Sequence, residues 1–521
     1  MLKSPKLERI ERRILLALSI FLVIALYLNL GIYPLMLEEP RRGLIALEML
    51  FSKNWLVPTQ NGELYFRKPP VYNWLLIISY KIFGNYSEFA IRFFSVASFV
   101  AMGIVFFRFC KRHLNERIAA YSALFFMVSA DILFYFSALG EIDLFYSLVT
   151  LMVFIVIYNF GEKRQYYTLF LLAYFFTAVG FLTKGIPSIP FLGISLLVYF
   201  IYKKDFKKLF SPAHLLGGAF FILLVGGYFW GYSLYEDPSG WWSTLATESS
   251  DRTTKTGVLG LLEHMVMFPI NTLKNILPVS FFLPLLFYKD FYKTIKKDRF
   301  VLFMALVFVA NILIYWISTG ARSRYVYALY PFLIGVIAYV LYNSDLKWRE
   351  KLIKTIAIIV ASITIISNAA LYFIPDFEII ELLLVKSIVL TICSAIFLAI
   401  IIKSPKYRLA MIIACFVILR FDFSLIMPVS RAETSRAADD MSIGIEISAL
   451  SMNERLALYD DTQISRTTIF YIEGNREEVL KRETVLPKGS YWICSPEDTV
   501  GRGVTVDWSF KYRDSDVLLV H

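Results

Sequence analysis

Two adjacent glutamates, a lysine in front of two prolines and several lone charges inside oily sequence are the residues here that could do chemistry. Leu37-Glu38-Glu39-Pro40-Arg41-Arg42 sets two carboxylates beside two guanidiniums, and a helical pattern continues through Glu48. Phe66-Arg67-Lys68-Pro69-Pro70 then places two cations just before a largely apolar run at 71–83. Proline suits the first turn of a helix, where its missing N–H is not needed. Lys68 therefore stands at a helix N-terminus, whose free N–H groups and partial positive charge favour phosphate. Asp143 follows Gly140-Glu141-Ile142, Lys184 lies between Gly180 and Gly185, and Arg322 and Arg324 precede Tyr325. A carboxylate can take a proton from a reacting hydroxyl, and preorganised cations can hold developing phosphate charge. Singly, each has a plainer reading as a solvated helix end, a headgroup contact, a cap or an interfacial ion pair. His264 could be a metal ligand, but a lone histidine is more often a satisfied polar residue.

The elements that must position these residues are membrane helices. The chain has 521 residues, 57% of them hydrophobic and 18% charged. A soluble fold carries roughly a quarter charged residues. The shortage of charge also excludes disorder, and four cysteines are too few for a disulfide scaffold. The net charge of +11 does not make a water-soluble nucleic-acid binder of so apolar a chain. Thirteen runs have the length and apolarity of a membrane span, near 14–34, 88–108, 118–137, 142–160, 166–183, 186–202, 213–233, 274–288, 300–317, 325–342, 353–374, 379–402 and 409–428. The run at 274–288 is short. The first is too long for a cleavable signal, and no small-residue cleavage site follows it.

Lysine and arginine gather on the cytoplasmic side of membrane proteins. Here they crowd the N-terminus and the alternate loops at 108–117, 163–164, 203–208, 289–299, 347–354 and 403–408. That pattern predicts a cytoplasmic N-terminus and an exported C-terminus. It also puts two long loops, 35–87 and 234–273, on the outer face. Residues 1–428 then form the membrane domain, and the net-acidic stretch 429–521 a periplasmic domain. Glu454–Asp460 and Thr467–Ile472 read as strands of that domain, Asn475–Glu483 as a helix, and Ser490–Cys494, Val504–Tyr512 and Val517–His521 as strands. This α/β tail has no metal-spaced His/Cys cluster or glycine-rich phosphate loop, and reads as an accessory or packing domain.

The helical spacing from Glu38 to Phe51 sets Glu38, Arg41, Ile45 and Glu48 on one stripe and Leu44, Leu47 and Phe51 on another. This predicts a helix lying in the membrane interface, its charged edge turned inward. Charges so close to lipid generally face a cavity or pair with one another.

As an ordered set, these motifs resemble the aminoarabinose transferase and protein O-mannosyltransferase group of integral-membrane glycosyltransferases. The resemblance is strongest over 30–335. It implies the GT-C fold, with about 13 transmembrane helices, outward catalytic loops and a polyprenyl-phosphate-sugar donor. On it, Glu38-Glu39 takes the place of the group's Asp-Glu pair, with Arg41 the following arginine and Glu48 the glutamate ending the interfacial helix. Lys68 matches the Lys-Pro-Pro lysine, Arg92 the arginine opening the second span, and Asp143 the aspartate opening the fourth. Lys184 matches the glycine-flanked lysine, and Arg324-Tyr325 the late Arg-Tyr pair. Two departures stand out. Glu38 is one methylene longer than Asp, and Arg67 replaces an acid frequent in the aminoarabinose transferases, which weakens both that sugar and a metal built on that acid.

The resemblance thus implies transfer of a sugar to a periplasmic-side acceptor, which could be lipid A, a protein or a glycan. Lys68, Arg92, Lys184 and Arg324, with Tyr325, would hold the donor phosphate. Glu38 would act as general base, Asp143 would be the second choice or would orient the acceptor, and Glu39, Arg41, Glu48 and Arg67 would support them. One displacement would invert the anomeric carbon. No cofactor is required by the sequence, though a divalent metal is compatible with it. The protein is expected in a bacterial inner membrane. The rival reading is a lipid or sugar transporter, but the charges do not sit at the midplane and no internal repeat is evident. An envelope sensor, a third reading, would not need so many spans.

Overall fold

The computed structural model describes residues 7–251, 257–485 and 489–521. The chain forms a multi-pass membrane protein that divides into two compact units. One comprises residues 1–30, 95–227 and 245–429, and the other 31–94, 228–244 and 430–521. The second unit joins the tail to the segment carrying Glu38 and Lys68.

The first unit is a helical bundle. Among the described residues, nine helices are long and apolar enough to cross a membrane, or ten if the bent pair Glu116–Met127 and Ala130–Ala138 makes one span. The difference from thirteen has local causes. Charges crowd the start of Arg9–Tyr27, and Ser188–Tyr202 has only 15 residues. The run at 274–288 contains a 3-10 helix, Val279–Phe287, with Pro278 at its N-cap and Pro284 inside it. Proline removes a backbone donor and crowds the preceding turn, so an α-helix does not propagate there.

The second unit is built on a five-stranded sheet of order Arg482–Glu483, Leu456–Tyr459, Tyr491–Cys494, Ser515–Val520, Val506–Tyr512. The first three strands are parallel and the last two join antiparallel, with Leu456 opposite Tyr491 and Ile493 opposite Leu519. The stretch Thr467–Ile472, expected as a strand, lies instead in the helix Arg466–Arg476, and the expected helix at 475–483 gives way to the edge strand. The β-branched run Thr467-Thr468-Ile469 favours a strand locally. Two contexts override it: Ser465 caps the helix by accepting from the Thr467 N–H, and Ile469, Phe470, Ile472 and Glu473 are all buried. Leu456, Leu458, Ile493, Val517 and Leu519 form the core with Ile469 and Ile472 of this helix and with Leu44 of the helix Glu39–Phe51. All four cysteines are free, so this core holds without a disulfide.

The helix Glu39–Phe51 is not a half-exposed interfacial helix. Ten of its thirteen residues are buried, including Glu39, Arg42 and Glu48. The helices Val71–Phe83 and Arg466–Arg476 and the short hairpin at 59–64 pack around it.

Candidate functional site

Within the second unit, Leu37 adopts a left-handed backbone (φ +59°), and Glu38 caps the helix that follows. The two adjacent glutamates then part company. Glu39 is fully buried, and its carboxylate accepts from Arg92 Nε at 2.7 Å and Nη2 at 3.0 Å. Arg92, also fully buried, gives its remaining donors to the carbonyls of Tyr33 and Pro34 and lies over the Tyr33 ring. These contacts make Arg92 a strut for the segment 33–39. Glu38 keeps 34% of its side chain exposed and pairs with Arg41 at 2.7 Å.

Glu48 serves the neighbouring hairpin. Its two oxygens accept from the N–H groups of Asn61, at 2.5 Å, and Gly62, at 3.1 Å. Those residues make the turn between Thr59–Gln60 and Glu63–Leu64, with φ of +58° and +75°. Positive φ at both central residues is what an Asn-Gly hairpin turn supplies. Burial pushes the Glu48 carboxyl up to about 7, and those hydrogen bonds only partly oppose it. Lys68 lies two residues before Pro70, the N-cap of Val71–Phe83, and its Nζ donates to the Arg67 carbonyl at 2.9 Å. Arg67 itself is exposed.

Within the first unit, the helices Ile142–Glu162 and Tyr166–Lys184 form a hairpin, so the start of one lies level with the end of the other. That geometry brings together Asp143 and Lys184, 2.5 Å apart and both buried. Each charge also suits its helix end, the acid at an N-terminus and the amine at a C-terminus. Gly185, at φ +86°, ends the second helix where a side chain would be strained. Lys184 lies over the rings of Tyr325 and Tyr146, at 4.4 and 4.9 Å. Arg324, in the 3-10 turn Ser323–Leu329, approaches the second oxygen of Asp143 to 3.9 Å and remains 21% exposed. Asp143, Lys184, Arg324 and Tyr325, expected from three separate stretches, are thus one cluster.

Sequence reasoning missed Asp131, which accepts the hydroxyl hydrogen bond of Tyr327 two residues beyond Tyr325. Its signal was an acid inside an apolar run. His264 bonds through Nε2 to the Tyr315 carbonyl at 3.1 Å. Among the described residues no three His, Cys, Asp or Glu side chains gather as metal ligands.

A many-helix membrane bundle and a small sheet domain, with paired charges at helix ends, make up this fold. Two solved structures share it: ArnT from Cupriavidus metallidurans in the apo state, with a TM-score of 0.71, 16% identity and 97% of each chain covered, and the same protein bound to undecaprenyl phosphate, at 0.70, 18% and 97% of each chain. Residues 67–230 match the family described as dolichyl-phosphate-mannose-protein mannosyltransferase. An undecaprenyl phosphate-alpha-4-amino-4-deoxy-L-arabinose arabinosyl transferase of Proteus mirabilis is 30% identical over 33% of this chain and 32% of its own length. An uncharacterised Aquifex aeolicus protein is 24% identical over 93% of this chain and 92% of its own. The alignment with the Proteus transferase thus spans about a third of either protein. The resemblance drawn from the motifs is borne out, and the fold is shared with ArnT.

Proposed function

We propose that the protein is a membrane glycosyltransferase that moves a sugar from a polyprenyl-phosphate donor to an acceptor on the outer side of a bacterial inner membrane. The observation that carries this reading is the different use of the two adjacent glutamates. Glu39 is locked against Arg92, whereas Glu38 stays accessible and is aligned by Arg41. A carboxylate held in place yet reachable is what a general base for an acceptor hydroxyl requires. The fold shared with a protein that binds undecaprenyl phosphate supports the donor class, and the family match over 67–230 supports sugar transfer.

The donor carries its own leaving group, and the phosphate must be stabilised as the glycosidic bond breaks. The motif resemblance gives this role to Lys68, Lys184 and Arg324, and Tyr325 lies beside Lys184. Preorganised cations are worth most where water is scarce. The acceptor oxygen attacks the anomeric carbon, Glu38 takes its proton, and polyprenyl phosphate leaves, inverting the centre. Asp143 keeps Lys184 and Arg324 in place. A hydroxyl on a lipid, protein or glycan needs this base, whereas a phosphate acceptor, as on lipid A, needs none and leaves Glu38 only to position groups. The C-terminus and the loops 35–87 and 234–273 are assigned to the periplasmic side by the distribution of Lys and Arg.

The test incubates purified protein with a radiolabelled lipid-linked sugar and follows release of polyprenyl phosphate. Acceptor-dependent release that is lost in Glu38→Gln is the expected result. Vectorial movement of the lipid without cleavage would sink the reading in favour of a transporter.

A further inference from the structure

The helices Glu39–Phe51 and Arg466–Arg476 belong to one unit and pack side by side. Their register can be read from two glycines. A Cβ added at Gly43 would stand 2.8 Å from the Phe470 ring, and one added at Gly474 would stand 3.8 Å from Leu47. Four residues on one helix match four on the other, so the two run in the same direction. One turn earlier, Arg466 is level with Glu39, beside Glu38 and Arg41.

The charges there do not balance. Glu39 is taken by Arg92 and Glu38 by Arg41. Asp440, on the adjoining helix Ala437–Leu450, bonds to Ser465. Arg67 and Arg466 make no ion pair among the described residues, and both are exposed. The buried Nε of Arg41 also has no hydrogen-bond partner. Partial burial and repulsion from Arg41 and Arg67 pull the Arg466 guanidinium below its usual range, against the opposing pull of Glu38 and Tyr512. Guanidiniums brought together without matching carboxylates are unfavourable until an anion joins them, and their planar forks suit phosphate oxygens.

We infer that Arg466, contributed by the C-terminal domain, joins Arg67 and Arg41 in a subsite for a phosphate group carried on a lipid substrate. This deepens the proposed function by giving the C-terminal domain a part in substrate recognition. The phosphate could belong to the polyprenyl donor or to a phosphorylated acceptor such as lipid A, and Arg466 acts by binding it, without entering the bond changes.

The experiment uses the full chain in detergent and measures binding of three probes: undecaprenyl phosphate, bis-phosphorylated lipid A and dephosphorylated lipid A. Arg466 is exposed, so Arg466→Gln should melt with the parent. It should bind one phosphorylated lipid about tenfold more weakly, the size of one charge-assisted contact, while Arg466→Lys retains most of the affinity. Loss confined to undecaprenyl phosphate assigns the subsite to the donor, and loss confined to phosphorylated lipid A assigns it to the acceptor. Unchanged binding of both overturns the inference. Binding is read without any sugar transfer, so an inactive transfer assay would sink the proposed function and leave this result standing.

Discussion

Glu38 and Glu39 are the same residue type one position apart, and their surroundings give them opposite sensitivities. Removing one member of a buried ion pair strands the other charge, at a cost of about 3 kcal/mol or more. Glu39→Gln should therefore lower the melting temperature sharply, because Arg92 stays fully buried. Glu38→Gln should leave melting nearly unchanged and remove transfer, since its partner Arg41 belongs to a partly exposed pair. Thermal unfolding and a donor-cleavage assay on both variants separate the two effects, and equal melting losses would refute the division. The identities of the charged residues were legible in the sequence because ionisable groups are costly near lipid. Their partners were not. Arg92 and Lys68 look alike as cations beside helix starts, but only the folded backbone sets Arg92 against Glu39 and two carbonyls. Arg466 gave no signal, because an arginine in a polar tail is ordinary until a neighbouring helix sets it beside Arg41.

At the scale of elements, the contact between the helices Glu39–Phe51 and Arg466–Arg476 depends on a missing side chain. Gly43 has Ile91 and Phe470 each 2.8 Å from where its Cβ would be. Gly43→Ala should cost about 1–3 kcal/mol through overpacking, and limited proteolysis should cut the C-terminal domain faster. Resistance equal to the parent would mean that the helices close without strain. The same pair of helices buries Glu48 and Glu473 near enough to repel each other. Burial pushes Glu473 well above the ordinary carboxyl range, the Glu48 charge adds to this, and one Glu473 oxygen has no partner. In the unfolded chain both would ionise near 4.5, whereas folded Glu48 ionises only at about 7. Unfolding between those values releases protons, so stability falls as pH rises through that window. Glu473→Gln removes one such group and relieves the other, so melting temperatures at roughly pH 5 and pH 7.5 should differ less than in the parent. An undiminished difference would place the pH dependence elsewhere. Here the sequence misled, because Thr467–Ile472 has strand residues and only burial against the sheet and Leu44 makes it a helix.

For the whole molecule, run length and hydropathy located most of the membrane bundle, since each span must satisfy its backbone internally and so shows itself in composition. They served less well where a span is interrupted, as at Val279–Phe287, or where a cation counted as topogenic has another use. Arg117 is such a case, buried with its guanidinium on Glu11. The division at 428 followed sequence order, whereas the fold joins residues 31–94 to the tail. Residues 430–521 expressed alone should consequently fail to reach a native core, because Leu44 is missing from it. Backbone amide exchange should then be fast throughout the sheet, and protected strands in the isolated piece would contradict the prediction.

The seat of Leu44 among Leu456, Ile493 and Leu519 also orders events in time. The strands that enclose residue 44 are made roughly 400 residues after it, or about 20–80 s later at ordinary synthesis rates. Throughout that interval the segment bearing Glu38 has no finished core to lean on. A truncated chain, however much of its bundle is inserted, cannot assemble the segment that carries the proposed base, so translation to the final strand is itself a checkpoint on activity.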